Sequence, residues 1–135
     1  MNDLPFVERA TRMLRGRGVE TWVFGGWGEE LRGLIHPRPH VDLDLLYPAE
    51  SWDEVDALTL DWIAGKRKRW KRAFMLEATM VELFLVRHDE HGWYTELARR
   101  VHRWPDNVLA SNGPLRVAST AALASYRHSY RVDAA

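Results

Sequence analysis

The sequence contains no cysteine and no long hydrophobic run. The absence of cysteine excludes a disulfide framework, a thiolate metal site and a cysteine nucleophile. No apolar stretch approaches the roughly 18 residues that a membrane-spanning helix needs. The segment Met1–Glu8 is polar and carries two acids, which is not typical of a signal peptide. These absences predict a cytoplasmic protein without a membrane partner.

The chain also lacks net charge, because 19 Lys and Arg residues balance 19 Asp and Glu residues. A neutral chain is not attracted to nucleic acid in bulk, so a nucleic-acid partner is not expected. The charges are nevertheless segregated, since an acidic stretch over 40–65 precedes the basic run Lys66–Arg72. This pattern suits either a metal with a polyphosphate or two solvated faces. The basic run is short, which favours an exposed hairpin edge protected by Lys and Arg.

Hydrophobic residues make up 46% of the 135 residues and include seven tryptophans. That content is sufficient for the core of a single domain over residues 1–135. We expect four of the tryptophans in the core and leave three as candidates for the wall of a binding pocket. The core set is Trp22, Trp27, Trp52 and Trp62, and the open set is Trp70, Trp93 and Trp104.

The spacing of apolar residues predicts alternating helices and strands. The predicted helices cover 4–16, 27–34, 52–64, 93–103 and 119–131. The predicted strands cover 20–24, 40–47, 68–77 and 79–87, and 114–118 is a short strand or an extended arm. The strand 79–87 is almost wholly apolar, so it should lie centrally. The fold class is α/β (α+β), a small mixed β-sheet with helices packed on it.

Two aspartates lie two positions apart on the predicted strand 40–47. Side chains at this spacing face the same side of a strand, with Cα atoms about 6.5–7 Å apart. Asp42 and Asp44 would repel one another unless a cation lay between them. Magnesium prefers such hard oxygen ligands together with substrate phosphates. The pair therefore indicates a metal site, although an exposed strand face with two harmless acids remains the alternative.

Glu82 is the one charged residue within the apolar run 79–86 of the predicted strand 79–87. A buried charge without a partner is costly, so its carboxylate needs a cation nearby. If this strand pairs beside 40–47, Glu82 becomes a third metal ligand or a general base. Alternatively, it forms an ion pair with Arg69 or Lys71 on a neighbouring strand. The sequence leaves both interpretations open.

Gly25 and Gly26 follow a predicted strand and open a predicted helix. Glycine lets a ligand approach the backbone closely because no Cβ intervenes. Backbone N–H groups at the start of a helix attract phosphate. The turn is thus a candidate phosphate site, although close packing would also explain two glycines.

The combination of these motifs resembles the DNA polymerase β-like nucleotidyltransferase superfamily. Gly25-Gly26-Trp27-Gly28 with Arg38-Pro-His40-Val-Asp42-Leu-Asp44 is similar to its small-molecule branch, the aminoglycoside 2″-adenylyltransferases and lincosamide nucleotidyltransferases. The resemblance covers residues 20–48 well and 79–87 loosely. The segment 126–130, Tyr-Arg-His-Ser-Tyr, is similar to the end of that branch's catalytic domain.

The resemblance implies a role for each matched position. A third carboxylate, often Asp in the family, falls at Glu82, where it would ligate the metal or remove a proton. The implied roles at the other positions are phosphate binding by Gly25 and Gly26, metal binding by Asp42 and Asp44, and contact with the triphosphate by Arg38 and His40.

The activity that the resemblance implies is magnesium-dependent transfer of a nucleoside monophosphate. The donor would be a nucleoside triphosphate, expected to be ATP, and the acceptor a hydroxyl of a small aminoglycoside- or lincosamide-like molecule. Two alternatives stay open: a protein or tRNA acceptor, as in toxin–antitoxin pairs, and a nucleotide-binding module without turnover. Because 135 residues leave little room for a helical acceptor domain, the cleft would be open or completed by a second subunit in a homodimer.

Overall fold

The computed structural model describes residues 2–111 and 113–134, with side chains described up to residue 127. Within them a seven-stranded sheet is flanked by helices, which confirms the predicted fold class. The α helices are α1 (Leu4–Gly16), α2 (Gly25–Leu31), α3 (Asp53–Asp56) and α4 (Thr120–Ala134). The strands are β1 (Trp22–Phe24), β2 (Asp42–Pro48), β3 (Asp61–Trp62), β4 (Lys71–Leu76), β5 (Thr79–Asp89), β6 (Gly92–Glu96) and β7 (Val101–Arg103).

The sheet has the strand order β1-β2-β5-β4-β3, and β6 and β7 extend from the end of β5. Strands β2 and β5 are parallel, in register from Asp42 opposite Met80 to Pro48 opposite Val86. Strand β5 therefore lies centrally, as its apolar sequence predicts. Val117 forms an isolated bridge to Val23, so the segment predicted as a short strand or arm is extended.

Alternate side chains of the central strands build two hydrophobic cores, one on each face of the sheet. On one face α1 covers Leu43, Leu45 and their β5 partners Val81 and Leu83. On the other face α4 packs over a second cluster, whose members include Phe24, Leu46, Phe84 and Leu123. In the part of the chain that the structure describes, no helix is both long and apolar enough to cross a bilayer.

The predicted helix over 52–64 is wrong. Only α3 is α-helical there, and the Asp53 N–H donates a hydrogen bond to the Ser51 hydroxyl oxygen at 3.2 Å. Beyond α3, Leu58, Leu60 and Trp62 pack against the core while the intervening Thr59 and Asp61 are exposed. This period of two belongs to an extended chain, and it places β3 beside β4.

The predicted helix over 93–103 is also wrong, because β6 and β7 form an antiparallel pair there. Gly92 has φ +108° and allows the chain to turn tightly from β5 into β6. The buried Thr95 hydroxyl donates to the Leu85 carbonyl at 2.9 Å and accepts from the Trp104 indole at 2.9 Å. These contacts fix β6 against β5 as a strand.

The basic run Lys66–Arg72 is not simply an exposed hairpin edge. Residues 66–69 are exposed, but β4 begins at Lys71 and lies between β3 and β5. Arg72 is buried and donates two hydrogen bonds to the Asp56 carboxylate, at 2.8 and 3.1 Å. The end of the basic run is therefore part of the structured interior.

Candidate active site

The sheet register places the predicted acidic residues together. Asp44 on β2 lies opposite Phe24 of β1 on one side and Glu82 of β5 on the other. Neighbouring residues in register face the same side of a sheet, and Asp42 shares that face because it is two positions away. All three carboxylates line one cavity of about 510 Å³.

The diglycine turn forms the adjacent wall of this cavity. Gly25 has φ +66°, a conformation that L side chains rarely adopt, and a Cβ there would overlap the Asp44 carboxylate. A Cβ at Gly26 would lie 2.8 Å from His40 Nδ1. Glycine at both positions thus lets the turn lie directly against the aspartate strand, with its backbone open to the cavity.

The electrostatics of the cavity favour a cation. Burial, Glu82 and then Asp42 raise the pKa of Asp44 to about 7, while Lys71 opposes the shift. Burial and Glu82 also raise the pKa of Asp42, against Lys66 and Lys71. Each aspartate is therefore harder to ionise than an ordinary one, and a bound cation would relieve that cost.

Glu82 forms the ion pair that the sequence allowed, and its role as a metal ligand or a base stays a prediction. It is the register neighbour of Asp44, and its Oε2 also lies 2.9 Å from Lys71 Nζ. Its carboxylate is thus turned toward the lysine. Among the side chains that the structure describes, no three His, Asp or Glu residues are grouped so that they could hold one metal ion. Asp42 and Asp44 are the pair available to a metal, with Glu82 beside them.

Arg38 and His40 do not line the cavity. The buried His40 ring packs on Trp27, with centroids 4.4 Å apart, and its Nε2 lies 2.9 Å from Glu30 Oε1. The Arg38 backbone N–H donates to the same Glu30 oxygen at 3.0 Å. In this arrangement His40 supports the Gly26 turn, and contact of either side chain with a triphosphate stays a prediction.

Helix α4 contributes a wall that the sequence reasoning did not assemble. Leu123, Tyr126 and Arg127 line the cavity, at the spacing that places residues on one face of a helix. Arg127 donates to Glu29 Oε2 at 2.6 Å and so links α4 to α2. The helical spacing could have indicated this shared face. The side chains of His128 and Tyr130, which belong to the motif noted in the sequence, lie outside the described residues.

A comparison with the sequence models of protein families shows which family the chain belongs to. The sequence model of the family Aminoglycoside-2″-adenylyltransferase matches residues 7–106, which include both aspartates, the diglycine turn and Glu82. The chain belongs to this family. As a member of the aminoglycoside-2″-adenylyltransferase family it is a nucleotidyltransferase, and the resemblance found in the sequence is confirmed.

Solved structures share the fold of this aminoglycoside-2″-adenylyltransferase family member. The crystal structure of ANT(2″)-Ia in complex with adenylyl-2″-tobramycin matches with a TM-score of 0.66 and 19% identity, over 98% of this chain and 76% of that chain. The solution structure of ANT(2″)-Ia matches with a TM-score of 0.66 and 21% identity, over 97% of this chain and 71% of that chain. A Thermotoga maritima protein assigned as a nucleotidyltransferase matches with a TM-score of 0.55 and 15% identity, over 98% of this chain and 90% of that chain. No curated protein sequence matches the chain.

Proposed function

We propose that this nucleotidyltransferase uses Mg²⁺ to transfer the nucleoside monophosphate of a nucleoside triphosphate, with ATP the expected donor, to a hydroxyl of a small aminoglycoside-like molecule. The observation that carries the proposal is the convergence of Asp42, Asp44 and Glu82 on one cavity beside Gly25 and Gly26. Membership of the aminoglycoside-2″-adenylyltransferase family supports the same reaction class.

The residues present fit a magnesium ion. Asp42 and Asp44 offer hard oxygen ligands from a central strand, and their raised pKa values reflect crowding that a cation would relieve. We assign these two aspartates as the ligands. When bound there, the ion would neutralise phosphate charge and help to orient the α-phosphate for attack.

Residues of the chain itself would bind the phosphates and accept the proton of the acceptor hydroxyl. The open backbone of Gly25 and Gly26 would bind the β- and γ-phosphates. The acceptor hydroxyl oxygen forms a bond to the α-phosphorus while the bond from that phosphorus to its bridging oxygen breaks, and pyrophosphate leaves. Glu82 would accept the hydroxyl proton, since its carboxylate lies next to Asp44 on the cavity wall.

The wall of the cavity supports a cationic, ring-containing acceptor. Trp70 and Tyr126 provide aromatic surfaces for sugar rings, and an ammonium group of the acceptor would compete with Arg127 for the Glu29 carboxylate. ANT(2″)-Ia, which shares the fold, has been solved in complex with adenylyl-2″-tobramycin. Modification of such a compound would give antibiotic resistance.

The test is a transfer assay with labelled nucleoside triphosphates and Mg²⁺ against aminoglycosides, lincosamides, tRNA and the protein itself. We expect label on an aminoglycoside, and a fall of at least about 100-fold in Asp42→Asn and Asp44→Asn. Asp61→Asn, at an exposed aspartate outside the cavity, is the matched control and should retain activity. Label on tRNA or protein alone would overturn the acceptor class, and no transfer to any acceptor would overturn the reaction.

A further inference from the structure

We propose that Lys71 is a positioning residue that alternates between two anions, the Glu82 carboxylate in the metal-free enzyme and the triphosphate in the loaded one. The inference rests on the proposed function and adds a residue to it. Lys71 Nζ lies 2.9 Å from Glu82 Oε2, and both side chains are largely buried on the cavity wall. The lysine is thus close enough to decide where the third carboxylate points.

The position of Lys71 is fixed by the sheet. It is the first residue of β4, and it lies opposite Phe84 while Glu82 lies opposite Ala73. Its ammonium is 5.9 Å from the centroid of the Phe84 ring, so the side chain extends across the strand toward Glu82. Because β4 is paired on both sides, the lysine can change its partner only by rotating its side chain.

Lys71 is also the cation that this cavity has available for a second anion. Of the described residues that line the cavity, Lys71 and Arg127 are the two with cationic side chains, and Arg127 is hydrogen bonded to Glu29 at 2.6 Å. The charge of Lys66 lowers the pKa of Asp42, but Lys66 does not line the cavity. A triphosphate entering beside the diglycine turn would therefore meet Lys71 as the ammonium closest to the carboxylates.

The ion pair holds Glu82 in a state that suits neither of its expected tasks. A carboxylate oxygen that accepts a hydrogen bond from an ammonium is a poorer metal ligand and a poorer base. Transfer of the ammonium to a phosphate oxygen would release the Glu82 carboxylate toward the Asp pair and the acceptor hydroxyl. The lysine then couples occupation of the nucleotide site to placement of the third carboxylate.

This role predicts changes of opposite sign in two affinities when the charge is removed. In Lys71→Met, Mn²⁺ without nucleotide should bind about tenfold tighter, because one repelling charge is gone and Glu82 is released. The triphosphate with saturating Mn²⁺ should bind about tenfold more weakly, because a phosphate partner is lost. A purely structural lysine would lower both affinities or neither.

The experiment measures Mn²⁺ binding by electron paramagnetic resonance and triphosphate binding by fluorescence, at low ionic strength. The proteins are wild type, Lys71→Met, Lys71→Arg, and Lys68→Met as a matched control on the same hairpin outside the cavity. Circular dichroism verifies folding. We expect Lys71→Arg to restore triphosphate affinity to within a few-fold and Lys68→Met to behave as wild type.

A double-mutant cycle separates the two causes of tighter Mn²⁺ binding, and Lys71→Gln replaces Lys71→Met in it if the latter folds poorly. In a Glu82→Gln background the lysine has no carboxylate to release and only the loss of its repelling charge remains, so Lys71→Met should tighten Mn²⁺ binding by less than about threefold. A tenfold change in that background would overturn the proposal, as would unchanged or weaker Mn²⁺ binding in folded Lys71→Met. Failure of the wild type to bind Mn²⁺ and triphosphate would overturn the proposed function as well, whereas a transferring wild type with an unresponsive Lys71→Met overturns the lysine role alone.

Discussion

The position of the Asp44 carboxyl group disfavours its ionised form. Its β-strand position places it between Phe24 and Glu82, and Gly25 covers it closely. Burial and two neighbouring carboxylates together raise its pKa to about 7. The folded, metal-free protein therefore retains a proton on Asp44 at pH values where the unfolded chain, with an ordinary aspartate pKa of 3.8, has lost it.

This difference predicts a pH-dependent effect of Asp44→Asn on stability. Between about pH 4 and 7 the folded state binds more protons at this position than the unfolded state, so the Asp44 contribution to stability falls as pH rises. In EDTA, Asp44→Asn should thus gain stability relative to wild type from pH 4 to pH 7.5. Urea unfolding of both proteins across this range measures the difference, and a constant or falling difference would contradict the assignment.

Gly25 determines how closely the diglycine turn lies against the aspartate strand β2. Gly25→Ala places a side chain at φ +66° and against the Asp44 carboxylate. We expect a loss of about 1–2 kcal/mol in the free energy of unfolding from the backbone conformation. Displacement of Asp44 should lower transfer activity by about 100-fold. Gly65→Ala, where a Cβ meets nothing within 4 Å, is the control. Equal transfer activities of Gly25→Ala and Gly65→Ala would contradict the requirement for a close approach of the Gly25 turn to Asp44.

Sequence reasoning at this scale identified the aspartate pair and the glycines but could not decide between the partners of Glu82. Alternation along one strand is enough to place Asp42 and Asp44 on one face. The contacts of Glu82 depend on the register of β5 against both β2 and β4, which is set by the whole sheet. The structure shows the ion pair with Lys71, and metal binding or base catalysis by Glu82 stays a prediction.

Single elements show how local patterns mislead when tertiary contacts decide the conformation. Residues 52–64 have apolar spacing that allows a helix, but the exposed Thr59 and Asp61 between Leu58, Leu60 and Trp62 reveal a period of two. Residues 93–103 begin with Trp93, Tyr94 and Thr95, residues with high strand propensity, after a turn at Gly92. Both signals were present in the sequence, and a helical prediction underweighted them.

Arg72 joins two of these elements, α3 and β4. Its guanidinium pairs with Asp56, donates to the Lys68 and Lys71 carbonyls at 2.7 and 3.1 Å, and lies 4.6 Å from the Trp52 ring centroid. The same contacts explain why the predicted exposed edge is interior at this residue. They also lower the pKa of Asp56, chiefly through the Arg72 hydrogen bonds.

Arg72→Met should therefore lower the free energy of unfolding by about 1.5–3 kcal/mol, the range for hydrogen bonds to charged groups. Arg67→Met is the matched control, because Arg67 donates to the same Asp56 carboxylate at 3.0 Å from an exposed position. Exposed pairs contribute about 0–1 kcal/mol. Denaturant titration compares the two, and an equal loss in both variants would contradict the central role of Arg72.

At the scale of the whole molecule, the cavity exists because α4 returns across the sheet to α2. Leu123 and Tyr126 pack with Phe24 on the cavity face of the sheet, and Arg127 donates a hydrogen bond to Glu29. The sequence predicted the helix over 119–131 but not its placement, because nothing in its local spacing tells which face of the sheet it covers. The fold class was predictable from the order of elements, whereas the wall that α4 adds to the cavity required the assembled structure.

The most direct test of the account is a crystal structure of the protein with Mn²⁺ and a non-hydrolysable nucleoside triphosphate. The account predicts an anomalous peak between the Asp42 and Asp44 carboxylates, about 2.0–2.3 Å from their oxygens, with the phosphates against Gly25 and Gly26. The same complex should show Lys71 turned from Glu82 to a phosphate oxygen. A metal or triphosphate bound away from these residues would contradict the central claim.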